Sequence, residues 1–261
     1  MGSAEKQAGL WGARAEDWAE AQEGKVEPLY QSVIERFVKS GTRVLDVGCG
    51  AGGFLALAVA KGAKVAGLDG TPELLAIAKR RLPNVRFEHG DLEVLPFEDG
   101  AFDLVTGFNS FQYAENPTKA LEEARRVLAP GGHVVVATWG KAEDCEAAGY
   151  MIALKPLLPP PPPGAAPGGP FALSDEKVLR SMVERAGLAA LDVRDVDCPW
   201  VYATEADALR GLMSSGPLVM AMNTSGEPKV RAATLESIAP FRAANGGYRL
   251  ENKFRYVVAQ R

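Results

Sequence analysis

Between residues 42 and 138, short apolar runs rich in β-branched residues alternate with segments whose apolar positions have a helical spacing. This alternation is typical of parallel strands joined by right-handed helical crossovers. The runs that predict strands are residues 43–47, 64–68, 85–89, 103–106 and 133–138. The segment therefore predicts an α/β fold, a Rossmann-like doubly wound sheet with helices on both faces.

The pattern changes after residue 139, because eight of the 18 prolines lie between Pro156 and Pro170. Proline fixes φ and has no N–H to donate, so this stretch predicts a stiff, extended connector. Beyond it, we expect a helix that is capped by Ser174 and runs to Gly187, followed by a strand at residues 191–196.

Residues 248–259 predict the last strand, which brings the expected number of strands to seven. The 45 or so residues before it carry helix signals. One signal is the capping-box pair Thr204 and Asp207, and another is the dipeptide Glu227-Pro228, which fits the first turn of a helix.

The length of 261 residues favours one domain with additions over two independent units. We divide the chain into a helical lid at 1–40, a cofactor-binding core at 41–140, a proline-rich insertion at 141–173 and a helical insertion at 203–246.

Composition narrows the possible partners. The formal charge of -4 argues against a nucleic-acid partner, because binding nucleic acid needs a basic protein surface.

Cys49, Cys145 and Cys198 are far apart and only two histidines accompany them, so we expect neither a metal site nor a disulfide. No apolar stretch is long enough to span a bilayer. We expect a reduced, cytoplasmic chain without membrane attachment.

A glycine-dense turn follows the first strand and contains Gly48, Gly50 and Gly53. Such a turn lets the backbone approach a ligand closely at the start of a helix. The spacing also matches the dinucleotide fingerprint, so a nicotinamide-dependent oxidoreductase is one alternative.

Three acids at the ends of neighbouring strands favour a different ligand. Asp46 precedes the glycines and would repel a diphosphate, but it can meet an ammonium group. Asp69 ends the second strand, where a carboxylate can accept both hydroxyls of a ribose. Asp91 follows the third strand and can accept from an adenine amino group beside Leu92. These acids predict a site for a cationic adenosine ligand.

The sequence resembles the class I S-adenosylmethionine-dependent methyltransferases, in particular their UbiE-like, small-molecule branch. The segments that carry the resemblance are residues 44–52, 67–69, 90–97, 102–105 and 122–132. The resemblance implies a seven-stranded sheet with an antiparallel last strand and S-adenosyl-L-methionine as the cofactor. The residues assigned to the cofactor are Asp46, Gly48, Gly50, Asp69, Gly70, Asp91, Leu92 and Asn109.

The methyl acceptor is expected to be a small molecule beside the end of strand four. The candidate pocket residues are Trp11, Trp18, Tyr30, Phe111, Tyr113 and Trp139, for each of which packing is the simpler alternative. Trp11 and Trp18 are seven residues apart, which would place both on one helix face. His133 begins strand five and is expected far from the ligand edge.

No residue stands out as a catalytic base, so catalytic residues are left unassigned. We expect in-line methyl transfer that relies on positioning and desolvation. A non-catalytic protein that binds S-adenosylmethionine or S-adenosylhomocysteine is the second hypothesis, and the nicotinamide-dependent oxidoreductase is the third.

Overall fold

A computed structural model describes residues 3–160 and 170–261. The strands are β1 Arg43–Val47, β2 Lys64–Asp69, β3 Arg86–His89, β4 Phe102–Phe108, β5 Leu128–Trp139, β6 Ala189–Asp197, β7 Trp200–Tyr202, β8 Tyr248–Leu250 and β9 Lys253–Gln260. The helices are α1 Ser3–Gly12, α2 Ala15–Asp17, α3 Glu27–Phe37, α4 Gly53–Ala60, α5 Pro72–Arg81, α6 Pro117–Val127, α7 Ala148–Leu154, α8 Glu176–Arg185, α9 Glu205–Leu212, α10 Gly216–Ser225 and α11 Glu227–Ile238.

Seven strands form one sheet in the order β3-β2-β1-β4-β5-β9-β6. Strands β1 to β5 pair in parallel, whereas β9 is antiparallel to both of its neighbours, β5 and β6. The seven-stranded doubly wound sheet with an antiparallel last strand is therefore confirmed.

Two apolar layers cover the sheet because successive side chains of a strand point to opposite faces. Val44 and Leu104 pack in the layer that holds α3 and α4. Their neighbours Leu45 and Val105 pack in the layer that holds α6 and α8. Buried on both faces, the inner strands read as nearly continuous apolar runs, as parallel strands do.

The last predicted strand is divided in the structure. Residues 248–259 are not one strand, because the chain turns at Glu251 and Asn252. The buried Asn252 side chain stabilises this turn by accepting from Ala147 N at 3.0 Å and donating to Leu250 O at 3.2 Å. Strand β8 thereby leaves the main sheet and pairs with β7 in a separate two-stranded sheet that the sequence analysis did not predict.

Helix starts are confirmed in two cases and corrected in a third. Thr204 forms the predicted capping box with Asp207, and α11 begins at Glu227 as expected. The cap of α8 is Asp175 rather than Ser174, since the Asp175 carboxylate accepts from two backbone N–H groups of the first turn. The negative carboxylate also suits the positive end of the helix dipole.

The N-terminal segment is broken into short elements. Helix α1 ends at Gly12, and Trp18 begins a separate π-helical turn, Trp18–Gln22. The prediction that Trp11 and Trp18 share one helix face is therefore wrong. Most of the proline-rich connector, residues 161–169, lies outside the described residues.

Candidate functional site

A deep cavity opens at the edge of the sheet where β1, β2 and β4 end. It contains about 1280 Å³ free of protein atoms, including the open space at its mouth. Mostly apolar and aromatic side chains with a few polar groups line it, as is typical of small-molecule sites. The predicted site residues that line it are Trp11, Trp18, Tyr30, Gly48, Gly50, Asp69, Gly70, Leu92, Asn109, Tyr113 and Trp139.

The glycine turn between β1 and α4 forms one wall. Gly48 and Gly50 have φ values of 73° and 54°, which residues with a Cβ rarely adopt. A Cβ on Gly48 would also collide with Ser110 Cβ. The wall can therefore approach a ligand with bare backbone only because these positions are glycine.

Asp69, at the end of β2, ties the glycine turn to the second strand. Its carboxylate accepts from Gly50 N and from Thr71 N, both at 2.8 Å. Burial raises the pKa of Asp69, whereas these hydrogen bonds lower it. Because Asp69 lines the cavity and a carboxylate has about four acceptor positions, the group can accept further hydroxyls, such as those of a ribose.

The loop after Asp69 is supported from strand β3. His89 Nε2 lies 3.0 Å from the carbonyl oxygen of Gly70, which itself lines the cavity. This contact holds the loop in place beside the cavity.

Asp46 and Asp91, the other two predicted acids, are not among the residues that line the cavity. Asp46 lies beneath the glycine turn, is 3% exposed, and accepts from the Thr106 hydroxyl at 2.7 Å. Burial is the main cause that raises the pKa of Asp46 to about 8. Asp91 accepts from Glu93 N at 3.0 Å, and its neighbour Leu92 lines the cavity instead.

Glu23 is a cavity residue that the sequence analysis missed. It comes from the N-terminal segment, accepts from Ala51 N of the glycine turn at 2.8 Å and forms an ion pair with Arg81. Burial raises the pKa of Glu23, although Arg81 opposes that shift. Arg81 also donates to Ala19 O at 2.7 Å, so this pair fastens the N-terminal segment to the glycine turn. No local motif marks Glu23, because its partners are distant in sequence.

Asn109 follows β4 in a strained conformation. Its φ of 53° makes it the one non-glycine residue with a left-handed backbone in the described part of the chain. The position is held by a hydrogen bond from Asn109 N to Ala137 O at 2.8 Å. Strain of this kind costs about 1 kcal/mol or more and concentrates at functional sites, which fits the predicted place of Asn109 in the cofactor site.

The far part of the cavity is aromatic. Tyr30 contacts Phe108 with ring centroids 4.7 Å apart, and Trp139 contacts Phe254 at 4.6 Å and Trp200 at 5.2 Å. The sequence analysis missed Tyr150, Trp200 and Phe254, which come from segments outside the glycine-loop core.

Trp11 and Trp18 form a roof over the opening. Their rings meet edge to face at 4.8 Å, and Trp11 also contacts Tyr113 at 5.8 Å. Trp11 lies so close to α10 that a Cβ on Gly216 would be 2.9 Å from its indole. Both tryptophans thus reach the same cavity from different short elements.

Phe111 is not a pocket residue. It is fully buried among the apolar side chains packed between the sheet and α6. A Cβ on Gly107 would lie 2.5 Å from its ring, which shows how tightly the ring covers β4. Phe111 therefore packs in the core, which was the simpler alternative to a pocket role.

The described charged side chains that line the cavity are all acidic. Among its described lining residues the charged ones are Glu23 and Asp69, with no lysine, arginine or histidine.

The expected position of His133 is confirmed, since it lies in a separate depression at the opposite end of β5. Residues 3–160 and 170–261 contain no side-chain cluster able to hold a metal ion and no helix long and apolar enough to cross a membrane.

A family model described as a methyltransferase domain matches residues 45–136. A demethylmenaquinone methyltransferase of Clavibacter sepedonicus is 31% identical over 174 residues, which are 60% of this chain and 69% of that protein. A demethylmenaquinone methyltransferase of Thermus thermophilus is 48% identical over 108 residues, which are 38% of this chain and 47% of that protein. This chain thus spans about half to two thirds of these two relatives.

The similarity to solved structures concerns the fold. A chain of the Haloferax volcanii complex between the Trm112 methyltransferase activator and a methyltransferase has a TM-score of 0.60 and 22% identity. The match covers 98% of this chain and 96% of that chain. The described architecture, including its additions to the sheet, is therefore shared at low sequence identity.

Proposed function

We propose that this chain, which belongs to the class I S-adenosylmethionine-dependent methyltransferases, transfers a methyl group from S-adenosyl-L-methionine to a small, uncharged acceptor. The observation that carries the proposal is one continuous cavity with Asp69 and the glycine turn at one end and aromatic rings at the other. A nicotinamide cofactor, one alternative left open by the glycine spacing, does not fit this family.

The cofactor end suits a cationic nucleoside. Asp69, which lines the cavity, would accept the ribose hydroxyls, and Gly48 and Gly50 offer bare backbone at the glycine turn. When bound, S-adenosylmethionine supplies an electrophilic methyl group on a positively charged sulfur. Glu23 and Asp69, which line the cavity, attract that charge, and electrostatic interactions are stronger in a protein cavity than in bulk water.

The acceptor end favours uncharged, flat molecules. A carboxylate or phosphate acceptor would need a cationic partner, and the described cavity wall offers none. Aromatic rings instead give a large apolar contact area for a ring of the acceptor. Asp91 is still proposed to accept from the adenine amino group. We propose that the insertions at 141–173 and 203–246 cover the acceptor, since Tyr150 and Leu218 from their described parts line the cavity.

Tyrosines are poor candidates for a catalytic base here. Burial raises the pKa of Tyr113 to about 12 and also raises the pKa of Tyr30. Both hydroxyls therefore stay protonated near neutral pH. We infer that catalysis depends on aligning an acceptor atom that is already nucleophilic and on excluding water.

The test is formation of S-adenosylhomocysteine, measured by mass spectrometry with a panel of uncharged aromatic acceptors and their carboxylate analogues. We expect transfer to members of the first group only. Equal transfer to the carboxylates would contradict the proposal, and cofactor binding without any transfer would favour the non-catalytic alternative. The cytoplasmic location and the absence of a nucleic-acid partner stay predictions.

The cofactor site is tested separately by calorimetry. Asp69→Ala should weaken S-adenosylmethionine binding by about 10- to 100-fold, because hydrogen bonds to a charged group contribute about 1.5–3 kcal/mol. Asp103→Ala is the matched control, since Asp103 accepts from Arg43 at the opposite end of the sheet. Equal losses in both variants would show that the effect is only structural.

A further inference from the structure

We propose that the hydroxyl groups of Tyr113 and Tyr150 together bind an oxygen atom of the methyl acceptor, which makes an uncharged, oxygen-bearing ring the preferred substrate class. The inference rests on the proposed function and deepens it. Neither tyrosine lies in the segments that carry the family resemblance, and the sequence analysis did not name Tyr150 as a pocket residue.

The two side chains reach the cavity from different elements. Tyr113 ends the short turn Phe111–Tyr113 after β4, and Tyr150 lies in α7. The Tyr113 ring is fixed on one side by Trp11, at a centroid distance of 5.8 Å. Tyr150 is 2% exposed, so its ring is held by packing. Both rings are thus positioned before any ligand arrives.

Their hydroxyls have no hydrogen-bond partner within residues 3–160 and 170–261. Two other buried tyrosines are paired, because Tyr202 donates to Gln22 Oε1 at 2.7 Å and the Tyr256 hydroxyl lies 2.8 Å from Arg36. Tyrosine hydroxyls in protein interiors usually find a partner. Two unpaired hydroxyls on one cavity wall therefore point to a partner supplied by a ligand.

Burial raises the pKa of both hydroxyls, so both stay protonated near neutral pH. Burial is the main cause that raises the pKa of Tyr150, and the charge that Tyr113 would carry if ionised raises it further. Both groups are therefore neutral donors that line the same cavity without bonding to each other. A carbonyl, hydroxyl or ether oxygen of an acceptor in this cavity has two lone pairs and so can accept from both.

Tyr30 is a less suitable member of this pair. Its hydroxyl also lacks a partner in the described part of the chain, but the neighbouring charges that affect it include Glu23 and Asp46. Tyr30 belongs to the aromatic wall beside Phe54 and Phe108, but its hydroxyl is subject to these acidic charges. The acidic side chains nearby would disfavour an acceptor oxygen there.

Calorimetry on protein saturated with S-adenosylhomocysteine tests the assignment without requiring turnover. The probes are indanone, which carries a carbonyl oxygen, indane, which has the same rings without it, and indane carboxylate. We expect indanone to bind more tightly than indane and the carboxylate to bind least. Tyr113→Phe and Tyr150→Phe should each weaken indanone binding by about 3- to 10-fold and leave indane binding unchanged.

Tyr248→Phe is the matched control, because its hydroxyl bonds to Glu205 at 3.3 Å away from the cavity. It should change neither probe. Equal binding of indanone and indane, no indanone binding, or equal losses for both probes in the tyrosine variants would overturn the inference. Failure of the proposed function would appear elsewhere, as a lack of methyl transfer by a protein that still binds S-adenosylhomocysteine and discriminates the probes.

Discussion

Replacing Asp46 by asparagine should make the stability of the ligand-free protein less dependent on pH. Asp46 is buried under the glycine turn, and burial raises its pKa from 3.8 to about 8, with a smaller contribution from the charges of Asp69 and Glu23. Asparagine has the same shape and keeps an oxygen that can accept from Thr106. It cannot ionise, so it reproduces the protonated acid at every pH.

The expected size follows from proton linkage. In the folded protein Asp46 keeps its proton up to about pH 8, whereas in the unfolded chain it loses the proton near its ordinary value. Between about pH 5 and about pH 7 the folded state binds the extra proton, so the free energy of unfolding falls as pH rises. The slope from this one group is about 1.4 kcal/mol per pH unit, or roughly 3 kcal/mol across the window.

Urea unfolding of the two proteins across this window measures the slope. We expect Asp46→Asn to remove about 1.4 kcal/mol per pH unit from it. A residual slope of the same sign should remain, because burial also raises the pKa of Asp69 and of Glu23. Asp103→Asn is the control, since Arg43 lowers the pKa of Asp103 in the folded protein, so that this group is ionised in both the folded and the unfolded state across the window. Identical slopes for the wild type and Asp46→Asn would refute the reasoning.

Three further predictions concern the ion pair that attaches the N-terminal segment, the glycine turn, and the helical insertion at 203–246. Glu23→Gln removes a charge paired with the partly exposed Arg81, so we expect the free energy of unfolding to fall by about 1 kcal/mol. Amide hydrogen exchange at residues 18–26 should become faster, and unchanged exchange would contradict this role. Gly48→Ala should abolish detectable S-adenosylmethionine binding in calorimetry, because the new Cβ meets Ser110, and normal affinity would show that the turn can relax. Thr204→Ala should lower the free energy of unfolding by about 1 kcal/mol through loss of the capping box, with cofactor affinity unchanged in the same titration.

Local patterns were sufficient to predict the sheet and the glycine turn. The strands beside Gly48 and Asp69 are marked by short apolar runs, and the positive φ at Gly48 explains why glycine is required there. Thr204 gives a similar case, since both partners of its capping box lie within one helical turn. In each case the deciding interactions are close in sequence.

Predictions failed where distant contacts decide the structure. The predicted last strand breaks because Asn252 bonds to Ala147, about a hundred residues away, and the freed segment finds β7 as its partner. Phe111 follows a ligand-facing strand but turns into the core, where Gly107 leaves room for its ring. Glu23 joins the site only because the N-terminal segment folds over Ala51 and Arg81.

The two ends of the cavity therefore differ in how sequence encodes them. Most of the cofactor wall lies within residues 45–136, the stretch that the family model matches. Most of the acceptor wall comes from outside that stretch, at Tyr30, Trp139, Tyr150, Trp200 and Phe254. Trp139 and Phe254 pair across β5 and β9 of the main sheet, whereas Tyr150 and Trp200 come from elements added to it, so the acceptor can change while the cofactor wall stays the same. For this reason the acceptor names of relatives that match mainly the core carry little weight here, and the chemistry of the aromatic wall is the better guide to the acceptor.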